Sequence, residues 1–118
     1  MRLRFIMIGL LSLAGCGSPS TDDWLAQLKD TDVVKRRHAL RELAARTAEA
    51  QRIVPALSEA LRDESAYVRH DAATALGKFG PDARDAVPAL ILALKDKDQS
   101  VRKAAGSALK KIDPQAAK

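Results

Sequence analysis

Displaced by 33 residues, the sequence falls on itself. Leu28, Leu61 and Leu94 coincide, as do Asp30, Asp63 and Asp96; Arg36, Arg69 and Arg102; Ala39, Ala72 and Ala105; and Leu43, Leu76 and Leu109. The second and third copies agree further at Pro55 and Pro88, Ala56 and Ala89, Leu57 and Leu90, Val68 and Val101, and Ala75 and Ala108. Three copies of one short unit argue against a fold organised round a single central core. Each unit is too small to bury its own apolar face, so it must lay that face against its neighbours, and the chain grows as a stack.

Within a copy, two segments of helical apolar period are separated by a short polar group such as Asp63-Glu64-Ser65, suited to ending one helix and capping the next. Val68, Ala72, Ala75, Leu76 and Phe79 share one face of the second segment, and Val101, Ala105, Ala108, Leu109 and Ile112 repeat that face one copy later. Gly80 and Pro81 favour a turn between copies, and Pro55 and Pro88 are expected near the start of a first helix, where a missing amide costs least. The pattern predicts an all-α protein, a short α-solenoid of about three stacked helical hairpins over residues 22–114, divided at about 22–47, 48–80 and 81–114. The first copy carries Lys35, Glu42 and Arg46 where later copies place Val, Ala, and Phe or Ile, so it is expected to be a polar cap. At the other end the tail, residues 115–118, is too short to cover Leu109 and Ile112, which are expected to lie open.

The stretch "VPALILALKDKDQSVRKAAGSALKKI", with Asp96 in the turn and Val101-Arg102 opening the second helix, resembles the HEAT repeat in its short phycobilisome-lyase-like form. Ankyrin repeats have the same length, but their Thr-Pro-Leu-His element has no counterpart here. The resemblance implies a binding scaffold. It also implies that Asp30, Asp63 and Asp96, with Arg36, Arg69 and Arg102, form a structural ladder between hairpins. A resemblance of fold leaves function open, so two alternatives accompany the scaffold: a phycobilisome-lyase-like enzyme or chromophore-binding protein, and a nucleic-acid-binding module.

Ahead of the repeats, Arg2 and Arg4 precede an apolar run, Phe5 to Leu13, which is shorter than the roughly 20 residues needed to span a bilayer. This is the layout of an export signal. The sole cysteine, Cys16, can form neither an internal disulfide nor a cysteine metal cluster. Leu13-Ala14-Gly15-Cys16 resembles the bacterial lipobox. That resemblance implies a cleaved lipoprotein signal over 1–15, a lipidated Cys16 bearing palmitate-type chains, a flexible tether over 16–21, and a place in the bacterial cell envelope, anchored to a membrane and facing outside the cytoplasm. Several acyl chains hold a small domain durably, at about 0.8 kcal/mol per buried methylene.

Export separates the protein from the chromosome and from intracellular lyases. Losing Arg2 and Arg4 takes the formal net charge from +5 to +3, modest for nucleic acid. No catalytic constellation stands out: His38 and His70 fall at different helix positions, and there is no phosphate loop and no metal-ligand spacing. The sequence therefore points to no enzyme, no metal, no cofactor beyond the covalent lipid and no small-molecule substrate. On the second helices, the side turned away from the apolar face carries Arg37 and Arg41, then His70 and Lys78, then Lys103 and Lys111, with no acidic residue among these positions. Such a basic stripe, one rung per repeat on an expected concave face, would attract anionic lipid headgroups or an acidic protein segment, and it is the candidate site for an acidic protein partner.

Overall fold

The computed structural model describes residues 18–115, so Cys16, the signal segment and the last three residues of the tail lie outside it. Six α-helices follow one another: α1 (Thr21–Gln27), α2 (Val33–Ala44), α3 (Ala50–Ala60), α4 (Ala66–Phe79), α5 (Val87–Ala93) and α6 (Gln99–Ile112). Two 3-10 segments, Thr47–Glu49 and Gly80–Ala86, join the hairpins, and there is no strand among the described residues. The second helices begin at residues 33, 66 and 99, in register with the sequence repeat. The helical part opens at Thr21, inside the stretch expected to be tether, because Ser20 and Asp23 form a capping box: the Ser20 hydroxyl accepts from the Asp23 amide while the Asp23 carboxylate accepts from the Ser20 amide.

The architecture is a stack in which α4 packs against α2 on one side and α6 on the other. Small residues allow this. Ala39, Ala72 and Ala105 are each fully buried, and Gly77 lies so close to α6 that a Cβ there would stand 3.2 Å from the Ala108 Cα. Between the two layers of helices lie Leu40, Leu43, Ile53, Leu57, Val68, Leu76, Leu90, Val101, Leu109 and Ile112, all fully buried. Burying each such side chain contributes about 1.5–3 kcal/mol, which replaces the central core that a repeat chain lacks.

Leu109 and Ile112 are therefore not open at the carboxy-terminal end. They point into their own hairpin, where α6 packs on α5 and on the 3-10 segment before it, so no tail is needed to cover them. What the end does expose is α5: Leu94 is 38% accessible, whereas Leu61, its equivalent one repeat earlier, is 6% accessible beneath the hairpin that follows it. The prolines also divide. Pro88 sits at the first turn of α5, but Pro55 lies inside α3. The reason is upstream. Thr47 to Val54 contains no glycine or proline, so α3 winds back to Ala50, whereas Gly80 (φ +58°) and Pro81 hold the matching stretch of the third repeat in 3-10 form.

Candidate functional site

Each interhelix turn is built round its aspartate. The Oδ1 atoms of Asp30, Asp63 and Asp96 each accept the amide of the residue two further on, Asp32, Ser65 and Asp98, at 2.8 Å. The repeated arginine closes the same turn from the second helix. Arg36 Nη1 donates to the Asp30 and Thr31 carbonyls at 2.8 and 3.1 Å, Arg69 Nη1 to those of Asp63 and Glu64 at 2.7 and 3.1 Å, and Arg102 Nη1 to that of Asp96 at 2.7 Å. The rest of the guanidinium reaches forward to the next repeat. Arg36 Nη2 donates to Asp63 Oδ1 at 3.1 Å, with Nε 2.9 Å from Oδ2. Arg69 grips Asp96 through Nε at 2.8 Å and Nη2 at 3.2 Å. Both arginines are buried, 7% accessible; the Arg69 rung is a desolvated fork of the strong, bidentate kind, whereas the Arg36 rung makes one hydrogen bond and a close ion pair whose Nε is not aligned to donate. Burial pushes the Asp96 carboxyl up, but the hydrogen bonds from Arg69 and from the Asp98 amide, with the Arg69 charge, outweigh it and hold the group below its ordinary value. All six ladder residues thus belong to the turns.

The basic stripe is less uniform than its sequence. Arg37 Nε donates to Asp71 Oδ2 at 2.7 Å, and His70 Nδ1 stands 3.4 Å from the same carboxylate. This bond raises the Arg37 guanidinium above its ordinary value and pairs its charge within the protein. Asp71 is a residue that the stripe pattern misses, because its column reads His38, Asp71 and Ala104 and has no repeated character. Arg41, Lys78, Lys103 and Lys111 are exposed, and none of them has a carboxylate partner among the described residues. Lys103 and Lys111 line a groove of about 340 Å³ between α4 and α6, together with His70, Thr74, Ser100 and Ser107.

Beside the stripe stands an apolar contribution. Tyr67 is 67% accessible at the start of α4, with the Arg37 guanidinium 5.1 Å from its ring centre, and Val34, its equivalent on α2, is 65% accessible. The cation–π contact draws the tyrosine ring against the guanidinium. Trp24, by contrast, is buried and meets His38 edge to face at 4.9 Å, so it seals the first hairpin. A wider cleft lies between α1 and α3, where charges of both signs alternate and two of its arginines are paired, Arg52 with Asp22 and Arg36 with Asp63. Among the described residues, no three His, Cys, Asp or Glu side chains are grouped to hold a metal ion, and no helix is long and apolar enough to cross a membrane. The second helices thus expose an aromatic and an aliphatic side chain together with three unpaired ammonium groups.

Comparison with known proteins bears on the fold. No curated protein sequence matches the chain. Among solved structures 21 chains match, one of them from the complex of CpcE and CpcF of phycocyanin lyase from Nostoc sp. PCC7120. That chain superposes with a TM-score of 0.76 at 34% identity over 85% of this chain, and this chain spans 40% of its length. The pattern of HEAT repeats matches residues 21–110, which is most of the sequence and all three hairpins. With the turn aspartates, the arginine forks and the stacked second helices in view, the chain belongs to the HEAT repeat family.

Proposed function

We propose that the protein is a membrane-tethered scaffold that binds an acidic segment of a partner protein along the exposed face of α2, α4 and α6. The observation that carries this reading is an exposed Tyr67 held against Arg37, on the helix that forms one wall of the groove lined by the unmatched Lys103 and Lys111, with Lys78 exposed at the far end of that helix. Interfaces draw most of their energy from a few aromatic and charged anchors, and a flat row of ammonium groups selects for carboxylates. Arg37 acts here by orienting Tyr67, since its charge is already paired with Asp71. The tether is Cys16, lipidated at the lipobox-like stretch, which places the scaffold in the bacterial envelope.

A photo-crosslinking residue at position 67, introduced in the host, is expected to trap a discrete partner whose crosslinked peptide is acidic. Lys103→Glu with Lys111→Glu should reduce that product at least tenfold. An undiminished product, or a crosslinked peptide without acidic character, would overturn the assignment of this face.

The similarity to a phycocyanin lyase complex favours a second reading, in which the chain takes part in lyase-like handling of a chromophore. The chain spans two-fifths of the similar chain, so this reading needs a partner to complete it. A bilin added to the purified protein would then show a shifted absorption band, and an unchanged spectrum, alone and with the trapped partner, removes it.

A further inference from the structure

The ladder has two complete rungs and two unused halves. Arg36 reaches Asp63 and Arg69 reaches Asp96, each 27 residues on. Arg102 closes its own turn through Nη1 in the same way, yet its Nε and Nη2 meet no carboxylate among the described residues. At the other end Asp30 holds its turn through Oδ1, and its Oδ2 receives no arginine among the described residues. In Asp63 and Asp96, Oδ2 is the atom that stands against the Nε of the preceding repeat's arginine. The missing donor of the amino-terminal face and the missing acceptor of the carboxy-terminal face are the two members of one pair.

We propose that copies of this chain stack head to tail, with Arg102 of one copy gripping Asp30 of the next. Continuing the repeat register through the junction brings other complementary groups together. Gly77 packs on Ala108 between the second and third repeats. One repeat further on, Lys110 takes the glycine's place and Glu42 of the next copy takes the alanine's. Both are at the surface, opposite in charge and long enough to meet across a looser junction than the internal ones. The partly exposed Leu94 and Ile91, at 38% and 41%, lie on the side of the third hairpin that such a neighbour would cover, as the third hairpin covers Leu61. The first repeat is therefore a charged docking face and not an inert cap. A heterologous contact of this kind does not close on itself as a dimer but continues into rings or filaments. Because it is carried by partly exposed charges, it is weak, salt-sensitive and strengthened by confinement of the copies to one surface.

The experiment is sedimentation velocity of the full chain in detergent at low salt over a concentration series, with Arg102→Glu and Asp30→Arg variants. The wild type is expected to gain mass with concentration and to lose that gain at about 0.5 M salt, which shortens the screening length to a few ångströms. Each variant alone should stay monomeric, since it sets like charges against one another. An equimolar mixture of the two should associate as the wild type does, because both of its mixed junctions again pair opposite charges. A wild type that remains monomeric, variants that associate unaided, or a mixture that fails to recover would each refute the stack. A Lys110→Glu and Glu42→Lys pair, tested in the same way, removes any dependence on the turn-closing role of Arg102. Crosslinking at Tyr67 is a separate readout that these substitutions leave in place, so the stack and the partner face stand or fall independently.

Discussion

At the scale of single residues, one column of the repeat contains its own control. Arg69 and Arg102 occupy equivalent positions, and each closes its turn on a backbone carbonyl, but only Arg69 also forks onto a largely covered carboxylate. Arg69→Ala should therefore cost about 3 kcal/mol, since it strands Asp96, whereas Arg102→Ala should cost about 1 kcal/mol, the worth of one hydrogen bond. Urea midpoints of the two variants measure the difference directly, and equal costs would deny the forks their role. The same rung sets the acid limit. The Asp96 carboxyl lies below its ordinary value in the folded state, so its contribution is complete above pH ~4, the unfolded value, and is lost as pH falls through the folded one. Arg69→Ala should flatten stability against pH below about 4. The Asp and Arg columns could be read from sequence because every copy repeats them and the turn chemistry needs them. Asp71 could not, since its partner Arg37 lies on a neighbouring helix and nothing in its column repeats.

At the scale of helices, two glycines in second helices have opposite consequences. Gly106 has only the Leu94 side chain near its absent Cβ, at 3.7 Å, so Gly106→Ala should stabilise by up to about 1 kcal/mol through helix propensity. Gly77 faces the Ala108 backbone at 3.2 Å, where a larger side chain must push α4 and α6 apart, and Gly77→Leu should destabilise by about 1–3 kcal/mol. Thermal melts of the two variants should move in opposite directions, and a shift of the same sign in both would mean that the α4–α6 spacing is not set at Gly77. The hairpins themselves were legible, with second helices starting 33 residues apart as the columns demand. The linkers were less so. Pro55 and Pro88 look equivalent in sequence, but a proline marks a helix start only where the preceding residues refuse to wind, and Gly80-Pro81 supplies that refusal in one repeat alone. The openness expected of Leu109 and Ile112 failed for a related reason: helical period tells that a side chain faces inward, not which neighbour provides the inside.

At the scale of the whole molecule, the proposed lipid on Cys16 determines where the scaffold works. Protein from the host membrane fraction should have the intact mass of residues 16–118 plus acyl chains, and Cys16→Ser should abolish that mass and release the domain from the membrane. An unlipidated full-length mass would return the protein to the cytoplasmic readings. Such a tether arrives at a fastened point. The Pro19 carbonyl accepts from Arg46 Nη2 at 3.0 Å, and Arg46 Nη1 donates to Thr21, whose hydroxyl donates in turn to Glu49 at 2.6 Å. Arg46 stands just past the end of α2, in the column that holds Phe79 and Ile112 in later repeats. A tug on the amino-terminal end is thus handed across to the close of the second helix before α1 bears it alone. The hairpin is loaded in shear, with both its helices sharing the strain, and resists being peeled away one turn at a time.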